Sequence, residues 1–217
     1  MPVPALDRLD ERTRARLLTG AQRRRFRREE VVFHAGDPAA SMHALLSGHV
    51  SVSVTTPLGD TVIFAVLGPG ALFGELSLLS PDATRSATVT ALEPAETLAV
   101  SRERLMALRA SEPALDRFLL DLVADYVRRQ DVRLLEALYV PADKRVLRRL
   151  LALVREYGGG APGTTVPLTQ EVLATMAGTT RPTANQVLRS AQEAGLLALE
   201  RGRLTVLDPA GLARRAR

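Results

Sequence analysis

The sequence predicts an α+β chain in three parts: an amino-terminal β-roll of the jelly-roll kind, one long helix, and a carboxy-terminal winged helix-turn-helix. Three observations predict it. Short β-branched runs cut by glycine occupy residues 30–100. Between Pro113 and Pro141 there is neither proline nor glycine, the composition of an uninterrupted helix. Residues 168–189 read as helix, glycine turn, helix. The expected divisions are residues 1–111, 112–140 and 141–217. At 217 residues and 46% hydrophobic content, the chain is long enough to bury more than one core.

In chain order, Leu6, Leu9, Leu17 and Leu18 stand among charges, which suits a short amphipathic helix over residues 5–18 packed on the roll. The basic cluster Arg23 to Arg28 reads as a solvated loop or helix edge at least as well as a second contact. Strands are expected at Val31-Val32-Phe33, Val50 to Val54, Val62 to Val66 and Leu98 to Val100. Gly36-Asp37, Ser47-Gly48, Leu58-Gly59-Asp60 and Gly68-Pro69-Gly70 mark the corners. These strands and turns add up to a small antiparallel barrel or jelly roll.

The long helix carries two apolar stripes. Leu120, Val123, Val127, Gln130, Leu134 and Ala137 alternate at coiled-coil spacing. Leu115, Leu119, Leu122 and Tyr126 form a neighbouring stripe suited to covering the roll. Two apolar faces imply two partners, one within the chain and one in a second subunit, making a homodimer. The bland alternative is one broad core-facing helix in a monomer.

Past Pro141, Val146, Leu147, Leu150, Leu151 and Val154 face inward on an amphipathic helix over residues 144–155, which Gly158-Gly159-Gly160 ends. In the helix-turn-helix, Thr180 suits the cap of the second helix and Pro182 its first turn. Ala184, Val187, Leu188 and Ala191 then turn to the core, leaving Arg181, Asn185, Gln186 and Arg189 outward. Arginine can fork onto guanine, and asparagine or glutamine onto adenine, in a major groove. Thr180 and Thr183 are small enough to bond phosphates at the helix start, and Thr169 and Pro182 complete the candidate DNA face. Residues 195–206 read as a two-stranded wing turned at Gly202, with Arg201 and Arg203 flanking the phosphate backbone. Charge agrees. The net +5 is concentrated in residues 141–217, which hold twelve Arg or Lys against six Asp or Glu, while residues 1–140 hold seventeen against eighteen. A polyanion partner at the carboxy-terminal end follows, double-stranded DNA above all.

In the roll, Phe73-Gly74-Glu75-Leu76 is followed by Arg85-Ser86-Ala87-Thr88. The pair reads as a phosphate cassette. Gly74 lets backbone approach an anion, the segment after it can present free N–H groups of a helix start, and Arg85 supplies a bidentate cation. The Glu75 carboxylate only accepts hydrogen bonds, so a ribose 2′-hydroxyl suits it where a phosphate does not. Phe73, Gly74, Glu75, Leu76, Arg85 and Ser86 are the candidate ligand residues here.

With Phe-Gly-Glu and Arg-Ser-Ala at this spacing, and Gly178, Arg181 and Thr183 in the helix-turn-helix, the chain resembles the cyclic-AMP receptor (CRP/FNR) family of bacterial transcription regulators over nearly its whole length. The resemblance implies a cyclic-nucleotide-binding roll, a dimerisation helix and allosteric control of DNA binding in the cytoplasm, with RNA polymerase as a further partner. It also implies that the turn of the long helix holding Gln130 and Asp131 reaches the nucleotide base from both subunits. Best-known members have small hydroxyl residues there. Gln130 can pair with an adenine edge, and Asp131 can accept from adenine or guanine, so cyclic AMP is favoured and cyclic GMP stays open. A regulator of the same fold that is ligand-independent or answers to another effector is the alternative. Pro182 stands where well-known members read a base with glutamate, and Gln186 where arginine is usual, so operator sequence does not carry over. Arg181 remains the foremost base reader.

Other classes are disfavoured. There is no cysteine, which removes thiolate-ligated iron–sulfur clusters and disulfides. His34, His43 and His49 are expected as surface or core residues, so no metal is expected. No His/Asp ligand motif, cysteine nucleophile or Walker-type loop is present, so an enzyme is not expected. The amino terminus lacks a signal-peptide pattern, and no apolar run approaches the ~20 residues of a membrane span. A soluble protein is expected.

Overall fold

The computed structural model describes residues 3–57, 59–79 and 84–217; the expected corner at Leu58 falls outside them. The chain forms two compact units, Met1–Val54 with Val66–Arg129, and Thr55–Ala65 with Gln130–Arg217.

The first unit opens with a 3₁₀ turn, Pro4–Arg8, and helix α1, Glu11–Leu18. The single helix expected over residues 5–18 is thus split. Asp10 turns extended and its carboxylate accepts from the Thr13 N–H at 2.9 Å, capping a new helix start. Leu6, Leu9 and Leu17 are buried as expected.

The strands are β1 (Gln22–Phe26), β2 (Val31–Phe33), β3 (Ser41–Ser47), β4 (Val50–Thr55), β5 (Thr61–Leu67), β6 (Leu72–Phe73), β7 (Thr88–Ala91) and β8 (Ala95–Ser101). They pair in two four-stranded sheets, ordered β1-β8-β3-β6 and β2-β7-β4-β5, the jelly-roll arrangement. Phe26, Leu45, Val50, Phe73, Val89, Ala91 and Ala95 form the core shared by the two sheets.

Strands β1 and β3 correct the expectations. Arg23 to Arg25 lie in an edge strand, not a loop or helix edge. They pair antiparallel with β8, where Glu96 Oε1 lies at ion-pair distance from the Nε atoms of Arg23 and Arg25, 3.2 and 3.5 Å away. Strand β3 is buried on both faces. Met42, Ala44 and Leu46 join one core while His43 and Leu45 face the other, so no apolar–polar alternation marks it.

Helix α2 (Glu75–Leu79) follows Gly74, where a helix start is expected, and α3 (Arg102–Arg109), unforeseen, leads into the long helix α4, Pro113–Tyr139. The inner stripe of α4 is Leu115, Phe118 and Leu119, buried with Leu105, Leu108 and Met42, with Leu122 packed against them. Tyr126 was expected in this stripe but is 41% exposed, because the core ends at Leu122. The other stripe lies open: Leu120, Val127 and Leu134 are 69%, 50% and 59% exposed.

In the second unit, α5 (Ala142–Gly158) buries Val146, Leu147, Leu150, Leu153 and Val154. Leu153 takes the place expected for Leu151, which is half-buried. Strand β9 (Thr164–Val166), α6 (Gln170–Met176) and α7 (Arg181–Glu193) follow, then strands β10 (Leu197–Glu200) and β11 (Arg203–Val206) and helix α8 (Pro209–Arg215). The wing is a three-stranded sheet, β10-β11-β9, one strand more than expected. Gly178 turns α6 into α7 with φ +58°, a conformation that disfavours side chains. Arg145 locks this turn. Its Nε donates to Ala177 O at 2.8 Å, Nη2 to Gly178 O at 2.9 Å, and Nη1 to Val140 O just past α4 at 2.7 Å.

Candidate functional site

The cassette is built by the end of β6, the start of α2 and the chain before β7. Gly74 takes φ +81°, and a Cβ there would meet Arg85 Nη1 at 2.7 Å. The glycine therefore makes room for a side chain of the site itself. Arg85 is 5% exposed. Its Nη1 donates to Gly74 O at 3.0 Å, its Nη2 to Ser41 O at 2.7 Å and Ser41 Oγ at 3.4 Å. The guanidinium carbon lies 3.9 Å from the Phe33 ring centre, a cation–π contact. Within the cassette itself, Arg85 Nε and Glu75 Oε2 are buried without a hydrogen-bond partner among the described residues. Burial raises the Glu75 pKa above its ordinary value, opposed by its own backbone N–H, Arg129 and Arg85. Burial lowers that of Arg85, opposed by Asp37 and Glu75.

Phe73 is buried, Leu76 half-buried and Ser86 exposed. The Ser86 N–H donates to Ser77 Oγ at 3.4 Å. A buried polar wall behind Arg85 had no signal in the sequence beyond a histidine in an apolar run. His43 Nε2 lies 3.0 Å from Ser41 Oγ and Nδ1 lies 3.0 Å from Thr97 Oγ1. The His43 ring stacks on Phe73 at 5.1 Å. Burial, then the charges of Arg85 and Arg24, lower the His43 pKa to about 4. His49 Nδ1 bonds Glu93 Oε1 at 2.5 Å. Among the described residues no cluster of His, Asp or Glu could hold a metal ion. Gln130 is half-buried and Asp131 exposed on the part of α4 that belongs to the second unit, whereas the cassette belongs to the first.

In the second unit α7 begins as expected. Thr180 Oγ1 accepts from the Thr183 N–H at 3.4 Å and shares a 3.0 Å bond with Thr183 Oγ1. The Thr169 hydroxyl caps α6 by accepting from the Val172 N–H at 3.3 Å. Arg181, Pro182, Gln186 and Arg189 are exposed and Asn185 half-buried. Ala184, Leu188 and Ala191 are fully buried, with Val187 half-buried. Helix and wing share two open grooves. One, of about 290 Å³, brings Thr169 and Arg181 together with Arg201 and Arg203. The other, of about 380 Å³, joins Asn185 and Arg189 to Arg201. Gln170 lines both grooves, and its polar side chain on the first helix drew no notice in the sequence. The exposed Arg203 guanidinium pairs with Glu200 across the wing turn.

Two family models match the chain. The cyclic nucleotide-binding domain family matches residues 23–112, and the Crp-like helix-turn-helix domain family matches residues 144–215. The chain is 31% identical over 195 residues to the CRP-like cAMP-activated global transcriptional regulator of Mycobacterium tuberculosis, covering 88% of this chain and 87% of that one. It is 34% identical over 189 residues to the cyclic AMP receptor protein of Thermus thermophilus, covering 87% and 85%. The crystal structure of the Thermus thermophilus catabolite activator protein matches with a TM-score of 0.56 and 33% identity over 98% of both chains. Both family models thus match in one chain, and the relatives cover most of its length. On these grounds the chain belongs to the CRP/FNR family of transcription regulators.

Proposed function

We propose that the chain acts as a homodimer whose binding to double-stranded DNA is switched by a cyclic nucleotide held in the β-roll, cyclic AMP before cyclic GMP. One observation carries the reading. In the cassette, Glu75 Oε2 and Arg85 Nε are buried and unpartnered among the described residues, a costly state that a ligand with hydroxyl and phosphate groups relieves. Glu75 accepts the ribose 2′-hydroxyl, Arg85 faces the phosphate, and Gly74, Leu76 and Ser86 border it. Phe73 backs the site from the core. Gln130 and Asp131 serve the base. The relatives named as activated by cyclic AMP and as a cyclic AMP receptor support adenine.

The open stripe of Leu120, Val127 and Leu134 on α4 supports pairing with a second copy. A nucleotide favouring one arrangement of the paired helices raises DNA affinity by linkage. Arg181, with Asn185, Gln186 and Arg189, reads bases, while Thr169, Thr180, Pro182, Thr183, Arg201 and Arg203 border the phosphates. Contact with RNA polymerase, a cytoplasmic setting and the absence of catalysis complete the reading.

A second reading keeps the fold and changes the trigger. It draws on Arg85, whose Nη atoms already serve the carbonyls of Gly74 and Ser41, so a phosphate must compete for them. Calorimetric titration with cyclic AMP and cyclic GMP decides. Saturable binding of one nucleotide at one or two per dimer is expected. Binding of neither leaves a DNA-binding regulator that is ligand-independent or answers to another effector.

A further inference from the structure

We propose that His43 is a positioning residue for the ligand site: as the neutral Nδ1–H tautomer it orients the Ser41 hydroxyl, which in turn fixes the Arg85 guanidinium. The inference deepens the nucleotide reading above and rests on it. The direction of the chain follows from its charged end. Arg85 can only donate, so Ser41 Oγ accepts from Nη2 at 3.4 Å. The Ser41 hydroxyl then has its own proton to give, and His43 Nε2 at 3.0 Å is the one acceptor that faces it among the described residues. With Nε2 accepting, the ring proton sits on Nδ1 and points to Thr97 Oγ1 at 3.0 Å.

The same ring also holds the second support of Arg85. His43 and Phe73 are directly opposed across β3 and β6, and their rings stack at 5.1 Å with a 10° interplanar angle. Phe73 precedes Gly74, whose carbonyl takes Arg85 Nη1 at 3.0 Å. One buried imidazole therefore stands behind two of the three acceptors of the guanidinium, Ser41 Oγ and Gly74 O, while the Ser41 carbonyl at 2.7 Å is the third. A phenylalanine in its place would keep the stacking and lose the relay. The pKa of about 4 agrees with a neutral ring in this position.

The test uses the full-length protein and two readouts. Long-range proton–nitrogen correlation spectra of the labelled imidazole at neutral pH are expected to show His43 as a single Nδ1–H tautomer. An Nε2–H tautomer or an imidazolium would overturn the proposal. Calorimetry with cyclic AMP should show His43→Phe and Ser41→Ala each weakening binding about tenfold, as for loss of one bond to a charged group. The double variant should be no weaker than either single one, because both break one chain. Additive losses would mean two independent packing defects and would also overturn it. If the unaltered protein binds no cyclic nucleotide, the nucleotide reading fails by itself and the tautomer alone decides the role of His43.

Discussion

Gly74 and Arg85 are fitted to each other: a Cβ at Gly74 would stand 2.7 Å from Arg85 Nη1, and the Gly74 carbonyl accepts from that same nitrogen at 3.0 Å. Gly74→Ala therefore meets two penalties, a clash and a side chain at φ +81°. The expected cost is about 1–3 kcal/mol of stability with loss of most nucleotide affinity. Thermal unfolding and calorimetry check the two effects separately, and unchanged affinity would show that Arg85 need not sit where it does.

Glu75 yields a pH prediction. Its pKa is raised in the folded state by burial, so the folded protein binds more protons than the unfolded chain once pH exceeds the ordinary carboxylate value of 4.5. Stability of the unliganded protein then falls as pH rises from there through the folded pKa. Glu75→Gln should be more stable than the unaltered chain at neutral pH, and the gain should vanish at pH 4. Denaturant titrations at both pH values test this. A variant no more stable at neutral pH would mean that the carboxylate is not penalised by its surroundings.

For DNA, Arg181 lines the groove between the recognition helix and the wing. Arg181→Ala should lose about 1–3 kcal/mol of discrimination between sites while keeping much of the salt-dependent non-specific binding. Competition binding with specific and random duplexes over a salt series gives the answer. Retained discrimination would move base reading elsewhere on α7.

Arg145 predicts an effect on DNA without one on ligand. Its guanidinium ties Val140 O to the Ala177 and Gly178 carbonyls at 2.7–2.9 Å. Arg145→Ala should loosen the turn ahead of α7 and weaken specific DNA binding about tenfold or more, while nucleotide affinity stays within twofold. Equal losses in both assays would point to general unfolding.

The open stripe of α4 predicts assembly. A single Val127→Glu exchange places a charge where the paired stripe needs an apolar residue. Sedimentation should show a dimer for the unaltered chain and a monomer for the variant at micromolar concentration. A variant that stays dimeric would remove this stripe from the interface.

The order of elements was legible where a local pattern exists. Alternation marked β4, absence of proline and glycine marked α4, and Thr180, Pro182 and Gly178 marked the turn into α7, because capping and turn chemistry act over three or four residues. The cassette was legible for the same reason, Gly74 and Glu75 being neighbours and Arg85 ten residues on. The sequence by itself therefore determined the family, the strand-rich and helical halves, and the positive charge balance of residues 141–217. Tertiary structure alone decided that β3 is buried on both sides and that β1 is an arginine-bearing edge tied to Glu96. It alone joined Ser41, His43 and Thr97 behind Arg85. Those relationships pair residues across strands up to 73 positions apart, as Arg23 and Glu96 are, and burial on both faces erases the polar alternation by which a strand announces itself.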